Sequence, residues 1–300
     1  MLYFLQQVLN GLHSGALYAL LAFGYALTNG ILHRTNLAYG GIFAFSGQTL
    51  ILVAVYGWQV LWLTLPATIA LGVLAAFIYA VLLGRLLAAG VFAPLATRSP
   101  NAIAAATLGV LIVLQELSRI AADTHDYWLP PMLAYPVVLA AGPNFHATLT
   151  VIQLMNCGLA IAVLLVAGLL LARTSFGRNW RAVCDDPQAA ALCGIDPGLI
   201  FTRAILAGGL FAALAGIMAA LYYGNIGFGA GLTYGLKVLF VTAVGGYLSP
   251  AYAALGAAAF GMAESLWAGY FPIEWRDAWM LGLLALLLVL IGSNRDAKTI

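Results

Sequence analysis

Arg173-Thr-Ser-Phe-Gly-Arg178-Asn-Trp-Arg181-Ala-Val-Cys-Asp185-Asp186-Pro187-Gln-Ala-Ala-Ala-Leu-Cys-Gly194-Ile-Asp196-Pro197-Gly-Leu-Ile-Phe-Thr-Arg203 interrupts an otherwise apolar chain. It holds four of the twelve Lys+Arg and three of the ten Asp+Glu. Long apolar runs flank it, so the island sits in water while its neighbours do not. Asp186-Pro187 reads as a helix start, with Asp as N-cap and Pro at the first helical position. Gln-Ala-Ala-Ala-Leu-Cys favours a short helix, Gly194 ends it as a C′ residue, and Asp196-Pro197 opens the next. Composition leaves two readings open, a plain connecting loop and a docking element for a partner protein.

Working outward, the 300 residues are 64% hydrophobic and 7% charged. A soluble domain carries roughly 25% charged residues, so this chain cannot clothe a globule in a solvated surface. Apolar segments at Leu12–Leu32, Gly41–Tyr56, Trp62–Leu83, Ala102–Ile120, Ala147–Ala172, Ala204–Tyr223, Ala251–Tyr270 and Ala278–Ile291 read as membrane crossings. The run Leu232–Val244, followed by a Gly245-Gly246-Tyr247-Leu248-Ser249-Pro250 turn, is short for a bilayer. Such an element is tolerated at membrane depth only when buried in protein or lining a cavity. The expected fold is all-α: one polytopic transmembrane helical bundle over residues 1–300, of about eight spans, with a broken or re-entrant element near 232–250. Met1–Asn10 lacks the basic n-region of a cleavable signal.

Loop charge orients the spans. His33–Asn36, Arg85–Asn101 (with Arg98) and Arg173–Arg203 carry the basic residues and share one side by alternation, the cytoplasmic side. Gly57–Leu61 and the proline-rich, aromatic loop Asp123–Phe145 have no Lys or Arg and face outside, as does the N-terminus. The tail, with Arg295 and Lys298, is expected inside, which makes the 232–270 region enter and leave on the outer face.

Small residues recur at every fourth position in Gly72/Ala76/Ala80/Gly84, in Gly208/Ala212/Gly216/Ala220/Gly224 and in Ala253/Ala257/Gly261/Ser265/Gly269, and Gly11 and Gly15 add a GxxxG. Such stripes let helix backbones approach closely in lipid, predicting a tight bundle suited to a path or a membrane dimer. Ionisable residues inside spans are costly and few. Glu116 and Arg119, at i and i+3, read as a helix-face ion pair. Glu264 lies mid-span, and Lys237 either snorkels to the interface or pairs with Glu264. Asn29, Asn36, Gln48, Gln115 and Asn225 read either as path-lining or as interhelical hydrogen-bonders.

The small net charge of +2 excludes a nucleic-acid footprint. No HExxH, GxSxG or paired mid-span aspartates occur, and the scattered histidines (His13, His33, His125, His146) make no metal site. Cys157, Cys184 and Cys193 read as small filler residues. The two lysines, Lys237 and Lys298, follow no glycine, so a Walker A loop is absent. If ATP drives this bundle, the ATPase is a separate chain, and only the 173–203 island is large enough to dock it. A coupled secondary transporter would show more intramembrane carboxylates or breaks in both halves.

These residues resemble the membrane permease subunits of branched-chain amino acid ABC importers. The run from Gly11 to Leu20 with Gly24 and Gly30-Ile31 looks like that family's first span. Thr35-Asn36-Leu37-Ala38-Tyr39-Gly40-Gly41 is similar to its Asn-x-Ala-His-Gly-Glu stretch, here without the ionisable His and Glu. Residues 173–195 look like its cytoplasmic coupling loop, and Lys237, Gly245-Gly246, Gly256 and Glu264 like its late glycine motif. The resemblance implies a bacterial inner-membrane, multi-pass permease subunit, not an enzyme. It implies no cofactor in this chain, with ATP bound by ABC ATPase subunits. The other partners it implies are a second permease subunit, usually related but different, and a periplasmic substrate-binding protein. Coupling would fall to Asp186, Pro187, Ala189, Ala190, Leu192, Gly194 and Ile195, with Arg178 and Arg181 at the rim. Asn36, Tyr39, Lys237 and Glu264 are candidates for the translocation path. The substrate class would be branched-chain amino acids or a related small polar solute. The alternatives are an ATPase-independent channel or facilitator for a solute such as urea or a short amide, and a structural membrane subunit without a path.

Overall fold

The computed structural model describes residues 2–95, 100–142, 145–246 and 249–296. Arg98, Tyr247, Leu248 and Lys298 lie outside the described residues. The helices are α1 (Leu2–Leu32), α2 (Ala38–Gln59), α3 (Leu65–Leu86), α4 (Pro100–Ala121), α5 (Val151–Arg173), α6 (Ser175–Asp185), α7 (Pro187–Leu192), α8 (Pro197–Tyr223), α9 (Ala230–Gly245), α10 (Pro250–Tyr270) and α11 (Arg276–Asp296). Among the described residues, α1–α5 and α8 are long and apolar enough to cross a membrane. The 21 residues of α10 and of α11 also match a span in length, and α9 is shorter, with 16 residues. The expected all-α polytopic bundle with a short late element is what the chain forms.

Burial sorts the helices. In α1, 89% of the most apolar window is inside the protein, against 17% in α5. The first span is therefore the hub and α5 an outer stave. Leu165, Val166 and Leu169 of α5 and Leu74, Ile78 and Leu82 of α3 are exposed. Water would not stabilise that much bare hydrocarbon, and lipid does.

The three small-residue stripes are the packing seams. In α3, the buried positions are Thr68, Gly72, Ala76, Ala80 and Gly84, one turn apart along one face. The α10 stripe runs antiparallel to α1. A Cβ at Gly261 would stand 2.6 Å from Gly15 Cα, and one at Gly15 would stand 2.7 Å from the Ala258 carbonyl oxygen. On α8, Gly216 lies against the Phe43 carbonyl of α2. Only backbones without side chains between them come this close.

The late element breaks inside the bundle. The irregular stretch before α9 is held by Gln48, whose Nε2 donates to the Ile226 carbonyl at 3.1 Å. Gly231 then sits on Gly40 and Ala44 of α2, and Gly245 on Ala253 at the start of α10. The neighbouring Ala254 packs with Ala19 and Phe23, in the middle of α1. That level is about 14 to 20 Å short of the end of α1 at Leu32, at about 1.5 Å per residue. The described residues on either side of this break, Gly245 and Ala253, are in close backbone contact, and non-helical backbone at membrane depth needs such cover.

Several boundaries differ from the expectation. α1 begins at Leu2 rather than Leu12, because its first turns pack on α10: Tyr3 Oη donates to the Gly269 carbonyl at 2.7 Å. The segment after Arg85 does not leave the helix but continues through a π-helical turn at Leu87–Phe92 to Leu95. The proline-rich loop contains a two-stranded antiparallel hairpin, β1 (Pro136–Ala141) and β2 (His146–Thr150). Gln6 acts on β2 as a third strand would. Its Nε2 donates to the Thr148 carbonyl at 2.9 Å, and its Oε1 accepts from the Thr148 N–H at 2.8 Å.

The ends of the bundle separate by charge. Arg34, Arg85 and the α6–α8 region surround one cavity at one end. The hairpin, the start of α1 and the end of α10 gather at the other, where Leu129 N–H donates to the Gly224 carbonyl at 2.9 Å. The described basic loops thus share one end of the bundle.

Candidate functional site: a capped helix at the basic end and a polar cavity at the other

At the basic end the chain builds a compact helical elbow. Asp186 Oδ1 accepts from the Gln188 and Ala189 N–H groups at 2.8 and 3.1 Å. Asp196 Oδ1 accepts from Gly198 and Leu199 at 2.9 and 3.2 Å. Pro187 and Pro197 occupy first helical positions. At the far end of α7, Ile195 N–H donates to the Ala190 carbonyl at 3.1 Å and Gly194 N–H to Ala191 at 3.0 Å. Gly194 has φ +81°, so this is a Schellman stop that needs glycine. The start and the stop of this short helix are both closed as the sequence predicts.

α6 was not anticipated from the sequence. Its signal is present: Trp180, Val183 and Cys184 at i, i+3 and i+4, after Thr174, which accepts from the Gly177 N–H at 3.4 Å. Trp180 Nε1 donates to the Leu27 carbonyl at 3.0 Å, nailing α6 under the end of α1. Arg181 donates to the Leu171 carbonyl at 2.8 Å and Arg178 to Arg173 at 3.3 Å. Both guanidiniums therefore close the C-terminus of α5, where the helix dipole favours cations. The expected docking residues divide. Ala190 is buried with Trp180, Val183 and Ile200, so it faces inward and holds the helix down. Asp186, Pro187, Ala189, Leu192 and Gly194 are exposed, and Ile195 is half-buried. Leu192 is 91% exposed.

Burial, with Asp185 adjoining, pushes the Cys184 thiol up to about 12. Cys193 is exposed and Cys157 buried.

At the other end lies a polar cavity of about 270 Å³ between α1, α8, α9 and α10. Glu264 and Arg276 supply its charge, and Tyr18, Tyr222, Tyr223 and Tyr234 much of its wall. Lys237 Nζ reaches Glu264 Oε1 at 2.6 Å and Asp277 Oδ1 at 2.9 Å. Arg276 Nε lies 3.3 Å from the same Glu264 oxygen and 3.2 Å from Asp277 Oδ1. Lys237 does not snorkel; it is buried and paired, one of the two arrangements expected. Glu116 and Arg119 form the expected i, i+3 pair at 2.6 Å on the surface.

Aromatic rings close the inner side of the cavity. Tyr18 meets Phe260 edge-on at 5.5 Å and Tyr234 at 5.8 Å, and Tyr234 meets Phe43 at 4.9 Å. The candidate path residues separate across this layer. Glu264 lines the cavity, and Lys237, which does not, pairs with it. Asn36 and Tyr39 lie toward the basic end, where Tyr39 Oη donates to the Leu21 carbonyl at 2.9 Å and Tyr25 Oη accepts from the Asn36 N–H at 3.3 Å. Arg276, Asp277 and the four tyrosines were not among the candidates drawn from the sequence. The polar segment that carries Arg276 and Asp277 reads as a link until α11 folds back onto α9.

The membrane-length helices, the polar cavity at one end and the capped, exposed helix at the other fit a polytopic membrane protein. Residues 7–291 match the family described as branched-chain amino acid transport system / permease component, and the chain belongs to it. It is 27% identical over 297 residues to the high-affinity branched-chain amino acid transport system permease protein LivH of Salmonella typhimurium, covering 98% of this chain and 95% of LivH. Identity to LivH of Escherichia coli is also 27%, over the same shares. BraD of Pseudomonas aeruginosa, a permease protein of the same description, is 26% identical over 96% of this chain and 94% of its own. No solved structure matches the chain.

Proposed function

We propose that this permease subunit carries a branched-chain amino acid, or a related small polar solute, across the bacterial inner membrane, driven by separate ABC ATPase subunits. Substrate arrives from a periplasmic binding protein at the cavity end. A second permease subunit completes the assembly. The ATPase seats on α7, and α6 passes its movement to α1 through the Trp180–Leu27 hydrogen bond. Asn36 and Tyr39 lie on the inner part of the path. The observation that carries the coupling assignment is Leu192, an apolar side chain 91% exposed on a helix stopped at both ends. A short rigid lever ending in an apolar knob suits a groove on a partner. The branched-chain amino acid transport role of LivH and BraD supports the substrate class.

The test is Leu192→Asp in cells relying on this system for L-leucine. Uptake is expected to fall at least about tenfold, as when a central apolar anchor is lost, while membrane insertion stays normal and ATPase co-purification weakens. Unchanged uptake with unchanged co-purification rejects the coupling assignment. Uptake by the purified chain reconstituted without any ATPase would establish the facilitator instead.

A further inference from the structure

We propose that the polar cavity is a binding site for a neutral zwitterionic amino acid, with Arg276 taking the carboxylate and Glu264 the ammonium group. This rests on the transport reading above and adds the site to it. The charges around the cavity sum to zero: Lys237 and Arg276 against Glu264 and Asp277. Lys237 and Glu264 are buried while Arg276 and Asp277 are partly exposed, so a net-neutral ligand leaves the buried Lys237–Glu264 pair balanced, whereas an anion or cation alone adds an uncompensated charge beside it.

The geometry leaves both charged groups with unused capacity. Arg276 makes its ion pairs through Nε alone. Among the described residues, no ion pair engages its two terminal nitrogens, which are the fork that grips a carboxylate bidentately. Glu264 accepts both cations on Oε1 and its carboxylate also interacts with the Tyr18 hydroxyl; Oε2 has no cationic partner among the described residues. Lys237, which is buried, keeps Asp277 at 2.9 Å, so a ligand ammonium at Glu264 does not orphan it. The volume of about 270 Å³ gives room for a small solute. Tyr222, Tyr223 and Tyr234 line the same cavity. Their rings accept an aliphatic side chain while the hydroxyls stay polar.

The experiment uses the full chain in membrane vesicles with its transporter partners, carrying Ser14→Cys at the cavity wall in a Cys193→Ser background. A membrane-impermeant thiol reagent is applied from the outer face. L-Leucine and L-alanine are expected to slow modification several-fold, while leucinamide, lacking the carboxylate, and 4-methylpentanoate, lacking the ammonium, do not. Arg276→Gln is expected to raise the L-leucine concentration for half-protection about tenfold, and Arg276→Lys to recover part of it. The ligand comparison needs no change at Arg276, so it decides even where that variant does not assemble. No protection by either amino acid, or equal protection by all four compounds, overturns the site. Protection without ATP-driven uptake leaves the site standing and rejects the importer reading; uptake without protection does the reverse.

Discussion

Lys237 and Glu264 show what a single residue can and cannot say. Two opposite charges in apolar segments were expected either to meet or to escape to the interface, and packing decided between these. α9 presents Lys237 beneath Tyr234, whose ring centroid is 5.9 Å from the ammonium, and α11 returns Asp277 as a second partner. Removing one member of a buried pair costs about 3–5 kcal/mol, while removing both is far milder. Lys237→Met alone is therefore expected to lower the thermal midpoint of the purified protein more than Lys237→Met with Glu264→Gln. Equal losses would mean the pair carries no coupling. The cysteines give a second residue-scale test. With its thiol pushed up to about 12 by burial and Asp185, Cys184 is almost wholly protonated at pH 7, and the thiolate is the reactive form. Maleimide is expected to label exposed Cys193 and leave Cys184 untouched until the protein is denatured, a difference read by mass spectrometry.

At the scale of elements, α7 was legible because caps are local chemistry. Asp-Pro opens a helix, Gly stops it, and no distant residue is needed. α6 was less visible, since its apolar face gains meaning only from the end of α1 above it. The same contact turned Ala190, one of the expected coupling residues, inward. The two alanine neighbours now predict opposite failures. Ala190→Asp is expected to place a charge in the Trp180 cluster and lower the yield of folded protein. Ala189→Asp, on the exposed side, is expected to leave yield intact and weaken only ATPase co-purification. Quantitative immunoblotting of membranes and of the purified complex separates them, and matching yields for both would show that Ala190 is not a packing residue.

Across the whole molecule, the seams follow the small-residue stripes, and they are unforgiving. A side chain at Gly40 would run into the Gly231 carbonyl and the Gly235 backbone, forcing α9 away from α2 and the cavity wall with it. Gly40→Val is expected to abolish detergent-stable protein, whereas Gly168→Val, with nothing within 4 Å of its added Cβ, is expected to be neutral; size-exclusion profiles check both. The order of the membrane-length helices and the three small-residue seams were readable from the sequence. Hydrophobic length and small-residue period are properties of each segment against its solvent. Which helix became the hub, how α9 breaks inside the bundle, and the union of Glu264, Arg276 and four tyrosines around one cavity were settled only by tertiary structure. Those features depend on contacts between segments far apart in the chain, and a helix's pattern says that it has a packing face without saying which partner will cover it.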